Sequence, residues 1–249
     1  MTTSVHAPER VRVPSGQVRL ARRVVDALGG RYSTELGIDV DAGDAEVERW
    51  FLAVTLFGTR IASSVAERTF RVLDEAGLTR IARARSIEWG ALVALLDAGG
   101  YTRYDFRTAS RLHALADAIN ERHDGRVAHI GRTSTTYTGL RDALGALPGW
   151  GPVTIGLFLR ELRGVWLGAN PPIAERAAHA SQHLGLVDRA QRTTLPYLEH
   201  LADACQVDLR DLESGLVRLS LAHHNHMTEC PGDGTCTALA DEPSTREPR

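Results

Sequence analysis

Residues 147–154 read Leu-Pro-Gly-Trp-Gly-Pro-Val-Thr, and our prediction of the fold starts from these eight residues. The Pro-Gly pair and the second glycine form a tight hairpin, and Pro152 takes the first position of a helix, where its missing N–H costs nothing. An amphipathic segment precedes the hairpin and begins at Thr136, a residue suited to capping a helix. The sequence therefore predicts a helix, a hairpin and a second helix.

A hairpin of this kind can bind a phosphate group. The backbone N–H groups of Gly149, Gly151 and Val153 lie outside regular helical hydrogen bonding, and N–H groups at a helix N-terminus attract anions. Glycine has no side chain, so a phosphate can approach the backbone closely. Such contacts do not read bases, and binding is then independent of nucleotide sequence. The alternative is an ordinary turn between helices, which Pro-Gly pairs also form.

The hairpin resembles the helix-hairpin-helix of the endonuclease III superfamily of DNA glycosylases. The likeness rests on the leucine, the two glycines, the threonine and the flanking helices, and it extends from about Asp44 to about Leu186. Within that range, Glu48–Phe57 is similar to the first helix of the family's barrel. The hairpin residues that the resemblance assigns to DNA binding are Leu147, Gly149, Gly151, Val153 and Thr154.

Helical periodicity dominates the chain, and no segment shows the alternation of apolar and polar residues that is typical of a strand. We therefore expect an all-α fold. The resemblance implies two lobes, a helical barrel and a second helical lobe into which the barrel is inserted. We expect the barrel, ending in the helix-hairpin-helix, at residues 44–164, the second lobe at residues 1–43 and 165–237, and a disordered tail at residues 238–249.

One catalytic group of the family is missing from this chain. Members with lyase activity carry a lysine two residues after the last hairpin glycine, and its amine attacks the sugar. Val153 occupies that position here, and all 29 basic residues of the chain are arginine. A valine has no lone pair and no neighbouring lysine can replace it, so we expect no lyase activity of the lysine type.

A second catalytic group is altered. The family places an aspartate about nineteen residues after the hairpin, where it stabilises positive charge on the sugar or activates water. Asn170 occupies that position here, and an asparagine has nearly the same shape but no charge. Glu175 is the nearest carboxylate that can replace the aspartate. Alternatively, Asn170 caps the helix that follows.

The family also inserts a polar side chain into the gap that a flipped base leaves in the duplex. The corresponding loop contains Thr59 and Arg60, of which Arg60 is long enough to fill the gap or to contact a phosphate. An arginine that is simply solvated in a loop is the alternative.

The cysteines suggest a different metal from that of the family. Its members often hold an iron-sulfur cluster on four cysteines, but here the first two of those positions carry Ser220 and Met227, so we expect no cluster. The remaining pair can instead join two histidines in a structural zinc site, whose candidate ligands are His223, His226, Cys230 and Cys236. The alternative is a plain turn after a helix whose C-terminus favours histidine.

Composition limits the partners and the location. The net charge of −2 gives no overall attraction to DNA, so an interface needs a local concentration of positive charge. The segment from Glu9 to Arg31 is rich in arginine, and its exposed arginines either contact phosphates or form a solvated helix face. No apolar run is long enough to span a membrane and no secretion signal begins the chain. We expect a cytoplasmic, nucleoid-associated monomer whose partner is double-stranded DNA, damaged or abasic.

These features predict a protein of base excision repair: a monofunctional DNA N-glycosylase that hydrolyses the N-glycosidic bond without a lysine-dependent lyase step. The alternative, favoured by the two replaced catalytic positions, is a catalytically degenerate, non-enzymatic protein that binds damaged DNA. A helical protein-interaction module is a third possibility, which the slightly acidic composition permits. The damaged base itself is not encoded in any motif.

Overall fold

Helices form all the regular structure of the chain in the computed structural model, which describes residues 13–58, 61–188, 192–224 and 226–240. The expected all-α fold is confirmed for these residues. None of their helices is both long and apolar enough to cross a membrane. The α-helices, in chain order, are α1 (Ser15–Leu28), α2 (Tyr32–Glu35), α3 (Asp44–Phe57), α4 (Ser63–Glu75), α5 (Trp89–Ala98), α6 (Asp105–Arg122), α7 (Ala128–Thr133), α8 (Tyr137–Gly145), α9 (Pro152–Glu161), α10 (Glu175–His183), α11 (Leu195–Cys205) and α12 (Leu209–Ala222).

The helices group into two compact units. Residues 31–171 form one, which we call the inserted unit, and the chain on either side of it forms the other, which we call the terminal unit. The chain therefore changes unit at 30/31 and 171/172, whereas we expected the changes at 43/44 and 164/165. Each difference has a local cause in hydrogen bonds and burial.

The first boundary lies earlier than expected because residues 31–43 pack into the inserted unit. The Tyr32 N–H and the Ser33 hydroxyl donate to the buried carboxylate of Glu161 at the end of α9. Ile38 and Val40 are fully buried in the same core. At the second boundary, Arg163 donates from Nη1 to the carbonyl oxygen of Pro171 at 2.9 Å, which keeps the chain in the inserted unit up to that residue.

Helix α3 is the centre of the inserted unit. Nine of its fourteen residues are buried, so the helix is apolar around most of its circumference, as expected for a helix enclosed by others. Its Trp50 and Phe51 are among the largest fully buried side chains, and Trp50 donates from Nε1 to the carbonyl oxygen of Phe158 at 3.3 Å. Burial of each such side chain contributes about 1.5–3 kcal/mol to folding.

The terminal unit packs α1, α10, α11 and α12 around a second apolar core. Gly215 of α12 allows a close approach to α1, because a Cβ there would lie 2.9 Å from Cγ1 of Val24. Arg218 of α12 donates to the carbonyl oxygens of residues 28, 29 and 30, which satisfies groups left free where α1 ends.

Arginines of α1 also hold the C-terminal segment of this unit. Arg22 donates to the carbonyl oxygen of Cys205, and Arg23 donates to those of Gly234 and Leu239. Leu239 is 3% exposed, so the start of the expected disordered tail is instead packed into the core, and residues 241–249 lie outside the described part of the chain. Arg22 and Arg23 thus stabilise the terminal unit through contacts with distant parts of the chain.

Glu48 of α3 is a carboxylate buried in the inserted unit, where it is only 3% exposed. Its Oε1 accepts a hydrogen bond of 2.6 Å from the Val127 N–H at the start of α7, whereas Oε2 has no partner within the described residues. Burial is the main cause that raises the pKa of Glu48 to about 7. The folded protein therefore keeps this proton more tightly than the unfolded chain does.

This difference predicts a pH-dependent stability. The contribution of Glu48 is fully present below its ordinary pKa of 4.5 and is lost as the pH rises to about 7. Over that range the free energy of unfolding of the wild type should fall by about 2–3 kcal/mol more than that of Glu48→Gln. Urea unfolding at several pH values measures it, with Glu121→Gln, an exposed position on α6, as the control. An equal fall in wild type and Glu48→Gln would contradict a buried, protonated Glu48.

Candidate nucleic-acid interface

The hairpin joins α8 to α9 in the inserted unit. Thr136 caps α8, since its hydroxyl accepts a hydrogen bond from the Gly139 N–H. Gly149 has φ of +79°, a conformation that side chains disfavour, and it reverses the chain. Gly151 then acts as the N-cap of α9 in an extended conformation, with Pro152 at the first helical position. The expected cap at Thr136 and the expected helix start at Pro152 are both observed.

Apolar side chains anchor the hairpin in the core. Trp150 is 5% exposed and stacks on Phe51 of α3, with 4.2 Å between ring centroids and 15° between ring planes. It also meets Phe158 of α9 edge to face at 5.2 Å. Leu147 and Thr154, which the sequence assigned to DNA binding, are buried as well. Their side chains therefore hold the hairpin in position and are not available to a ligand.

Arg111 of α6 packs against the hairpin at Gly149, and no motif in the sequence points to this residue. A Cβ on Gly149 would lie 2.6 Å from the Arg111 Cδ, so the two residues are in direct contact. Arg111 donates from Nη2 to the carbonyl oxygen of Thr55 at 2.9 Å, close to the end of α3. Tyr101 donates to the next carbonyl, that of Leu56, at 2.7 Å. Burial lowers the pKa of Arg111, but a guanidinium stays charged, so a cation lies directly behind the turn.

The opposite side of the hairpin is open. A Cβ on Gly151 would meet nothing within 4 Å, and the Val153 side chain is 86% exposed. Among the described residues, no hydrogen bond is formed by the backbone N–H groups of Gly149, Gly151 or Val153. These donors stand at the N-terminus of α9, where the helix dipole adds to their attraction for an anion. The geometry can therefore accept a phosphate without any side chain moving aside.

The end of α3 meets the hairpin helix at two small residues. A Cβ on Gly58 would lie 2.8 Å from Oγ1 of Thr154, so only glycine permits this approach. Thr59 and Arg60, which the resemblance assigns to the gap left by a flipped base, directly follow Gly58 in sequence. Both lie outside the described residues.

The two candidate catalytic residues are exposed. Asn170 lies near the end of the inserted unit, and its N–H donates to the carbonyl oxygen of Gly168 at 2.8 Å. It does not cap the next helix, because the N-cap of α10 is Ala174, which makes no side-chain capping bond. Glu175 is the first residue of α10 and belongs to the terminal unit. Val153, which the resemblance places at the position of the lyase lysine, presents no group that can react with a sugar.

Four potential metal ligands converge in the terminal unit. They are His183, His223, Cys230 and Cys236, and one donor atom of each lies within 4.8 Å of those of the other three. Three of them belong to the predicted set. The fourth, His226, is not brought to the cluster: its Nδ1 pairs with Oε1 of Glu229 at 3.0 Å on an exposed surface. His183, at the end of α10, takes its place.

The two thiols of this cluster differ in acidity. Burial raises the pKa of Cys236 to about 11. Burial acts in the same direction at Cys230, but hydrogen bonds from the hydroxyl and the N–H of Thr237 outweigh it and lower the pKa to about 5. Hydrogen bonding at Cys230 and burial at Cys236 therefore shift the pKa values of the two thiols in opposite directions.

Comparison with known proteins adds no family to this picture. No protein-family model matches the chain, and no curated protein matches it significantly. Any function must therefore be argued from the hairpin and its surroundings.

The two hairpin glycines lead to a test of the geometry itself. We expect Gly149→Ala to lower the free energy of unfolding by about 1–3 kcal/mol, because alanine at this φ is strained and its Cβ displaces Arg111. Gly156→Ala, in the middle of α9 and facing open space, should instead stabilise the protein by up to about 1 kcal/mol. Urea denaturation of the two variants gives the comparison. Equal stability of both would show that the turn does not have the described conformation.

Proposed function

We propose that the protein binds duplex DNA through the hairpin at residues 147–154 and acts on it as a monofunctional DNA N-glycosylase. The observation that carries the proposal is the open glycine-lined N-terminus of α9, where the N–H groups of Gly149, Gly151 and Val153 face no protein acceptor among the described residues. A phosphate oxygen is the ligand that such a set of N–H groups binds best.

The contrast between the two glycines supports this assignment. Gly149 is explained by the fold, since both its φ and the neighbouring Arg111 disfavour a side chain. Gly151 has an ordinary φ of −96° and empty space around it, so the fold tolerates a side chain there. A glycine at this position leaves room for a ligand that touches the backbone. The contact is therefore best understood as an approach of the DNA backbone to the start of α9.

The charge balance limits the size of this interface. The chain carries a net charge of −2, and the guanidinium of Arg111 is a cation directly behind the turn. When the logarithm of affinity is plotted against the logarithm of salt concentration, each neutralised phosphate adds about 0.9 to the downward slope. An interface with only a few phosphate contacts therefore releases few counterions. We expect weak affinity for undamaged duplex with a shallow salt dependence.

The reaction that fits the available groups is hydrolysis by water. Water adds its oxygen to the sugar C1′ as the bond from C1′ to the base nitrogen breaks, and the base leaves with a proton. The transition state carries positive charge on the sugar, and Asn170 can orient the attacking water through its side-chain amide. No side-chain amine exists to form a Schiff base, and the product is a free base and an intact abasic site.

A second function is favoured by a specific observation. The position of the family's lysine carries an 86% exposed valine, and the position of its aspartate carries the neutral Asn170. A protein with the hairpin but without both catalytic groups would find or protect damaged DNA without cleaving any bond. Binding and catalysis therefore need separate experiments.

Binding is tested at Gly151. We expect Gly151→Glu to weaken binding to a fluorescent duplex at least about tenfold, because a carboxylate would repel the phosphate at the site of contact. Gly151→Gln, of the same shape, should weaken it less. Gly16→Glu adds the same charge at another open position, in the terminal unit, and serves as the control. Anisotropy titrations at two salt concentrations measure the affinities. If Gly151→Glu binds like Gly16→Glu, the hairpin is not the interface.

Catalysis is tested with a panel of duplexes that each carry one damaged or mismatched base. We expect release of one base class by the wild type, a loss of at least about tenfold with Asn170→Ala, and retention or gain with Asn170→Asp. Glu175→Gln reports separately on the carboxylate. Activity in Asn170→Asp but not in the wild type would indicate a glycosylase that has lost its catalytic carboxylate. No activity in any variant would contradict the glycosylase proposal and favour a protein that only binds DNA.

The absence of lysine adds a trapping control to the same panel. Borohydride reduces a Schiff base to a stable protein–DNA adduct, and we expect none through a side chain. An adduct that maps to any residue other than the N-terminal amine would contradict the hydrolytic mechanism.

A further inference from the structure

We propose that His183, His223, Cys230 and Cys236 bind a zinc ion in a closed structural site of the terminal unit. This inference is independent of the DNA-binding proposal, because it concerns different residues and a different unit. The proposed ligand set differs from the one predicted from the sequence at one position, where His183 takes the place of His226.

The distances among the donor atoms fit a tetrahedral ion. With Zn–S of about 2.3 Å and Zn–N of about 2.0–2.1 Å, neighbouring ligand atoms of a tetrahedron lie about 3.3–3.8 Å apart. Sγ of Cys236 and Nε2 of His223 are 3.5 Å apart, and all four donor atoms lie within 4.8 Å of one another. Small adjustments of side chains are enough to close the site.

The chemistry of the donors selects zinc. Two thiolates and two imidazoles are a soft set that suits zinc and does not suit magnesium or calcium, which need oxygen ligands. In a two-iron cluster with two cysteines and two histidines, the cysteines bind one iron and the histidines bind the other. The sulfur and nitrogen atoms are then further apart than the donor atoms of His183, His223, Cys230 and Cys236 are here. A mononuclear ion is therefore the occupant that fits.

The hydrogen bonds of His223 orient it as a ligand. Its Nδ1 lies 2.7 Å from the carbonyl oxygen of Leu219, an acceptor, so Nδ1 carries the proton and Nε2 presents a lone pair to the cluster. Metal-binding histidines are held in this way by a backbone carbonyl. His183 is 8% exposed, and its Nε2 has no hydrogen-bond partner within the described part of the chain. A buried imidazole nitrogen of this kind is satisfied by a metal bond.

The thiols are also prepared for a metal. Both are free, and no disulfide joins them. Sγ of Cys230 accepts a hydrogen bond from the Thr237 N–H at 3.4 Å, which stabilises the thiolate that zinc requires. The chain between the two cysteines passes close to α10: a Cβ on Gly232 would lie 2.4 Å from the carbonyl oxygen of His183. This turn therefore presents both sulfur atoms to the two histidines.

The site is reachable but has no position left for a substrate. His183 and Cys230 line an open cleft of about 710 Å³, through which an ion can enter. Four protein ligands complete the coordination of zinc, a feature of structural sites rather than catalytic ones. The ligands come from the end of α10, the end of α12 and the C-terminal turns, so the ion would join these three parts of the terminal unit.

Metal content of the full-length protein is the first test. Protein purified without chelator and without a histidine tag should contain about one zinc ion per chain. His183→Ala and Cys236→Ser should lose most of it, while the matched controls His226→Ala and Cys205→Ser should keep it. Equal loss in His226→Ala and His183→Ala would overturn the ligand set. Iron in place of zinc, or a disulfide between Cys230 and Cys236, would overturn the proposal.

A second measurement does not depend on whether the variants fold. Wild-type protein stripped of metal and titrated with Co²⁺ should develop the intense visible bands of tetrahedral cobalt and a thiolate-to-cobalt band in the near ultraviolet, and zinc should displace both. Chelation should lower the melting temperature of the wild type and leave that of the metal-free His183→Ala unchanged. Wild-type protein that takes up neither Zn²⁺ nor Co²⁺ would refute the site.

Discussion

The stacking of Trp150 on Phe51 is the contact on which the rest of the inserted unit depends. It joins the hairpin to α3, the helix at the centre of the core, with ring centroids 4.2 Å apart. An aromatic pair of this kind adds about 0.5–1.5 kcal/mol to the free energy gained from burial alone. Because Phe158 packs against both rings, the contact also sets the position of α9. The open N–H groups of the hairpin are thereby held in place before any ligand arrives, which lowers the entropy that binding must overcome.

The sequence predicts best those elements whose conformation is set by neighbouring residues alone. The hairpin and the start of α9 follow from the glycines and Pro152, whose conformational preferences do not depend on the rest of the chain. The boundaries of the units depend instead on contacts between distant residues. The hydrogen bond from Ser33 to Glu161 spans 128 positions, and no periodicity in residues 31–43 indicates it. Sequence patterns therefore do not locate the boundary at 30/31, which depends on these long-range contacts.

The candidate metal site is a second case in which a contact between distant residues could not be predicted from the sequence. His223 and His226 are three residues apart, a spacing that would put them on one face of a continuous helix, but α12 ends at Ala222. His224 then takes a positive φ of +47°, so the chain turns and His226 points its ring towards Glu229. The partner of His223 is His183, at the end of another helix, and only the packing of α10 against α12 brings the two rings to 5.0 Å. Spacing identifies ligands on one element, and tertiary packing decides which elements meet.

Arginine as the sole basic residue has both structural and chemical consequences. Arg218 reaches three carbonyl oxygens at the end of α1, Arg23 joins two in the C-terminal segment, and Arg163 bonds to Pro171 at the edge of the inserted unit. Arg218 makes its three contacts through Nη1 alone, whereas Arg23 reaches its two carbonyl oxygens from Nη1 and Nη2. A guanidinium can bond in two directions in this way because it offers five donors in a rigid plane, whereas an ammonium group offers three at one point. The same group does not lose its proton in a protein and so cannot attack a sugar as an amine. A chain that uses arginine for all these contacts is well provided with hydrogen-bond donors to carbonyl oxygens, but it has no side-chain amine that could form a Schiff base.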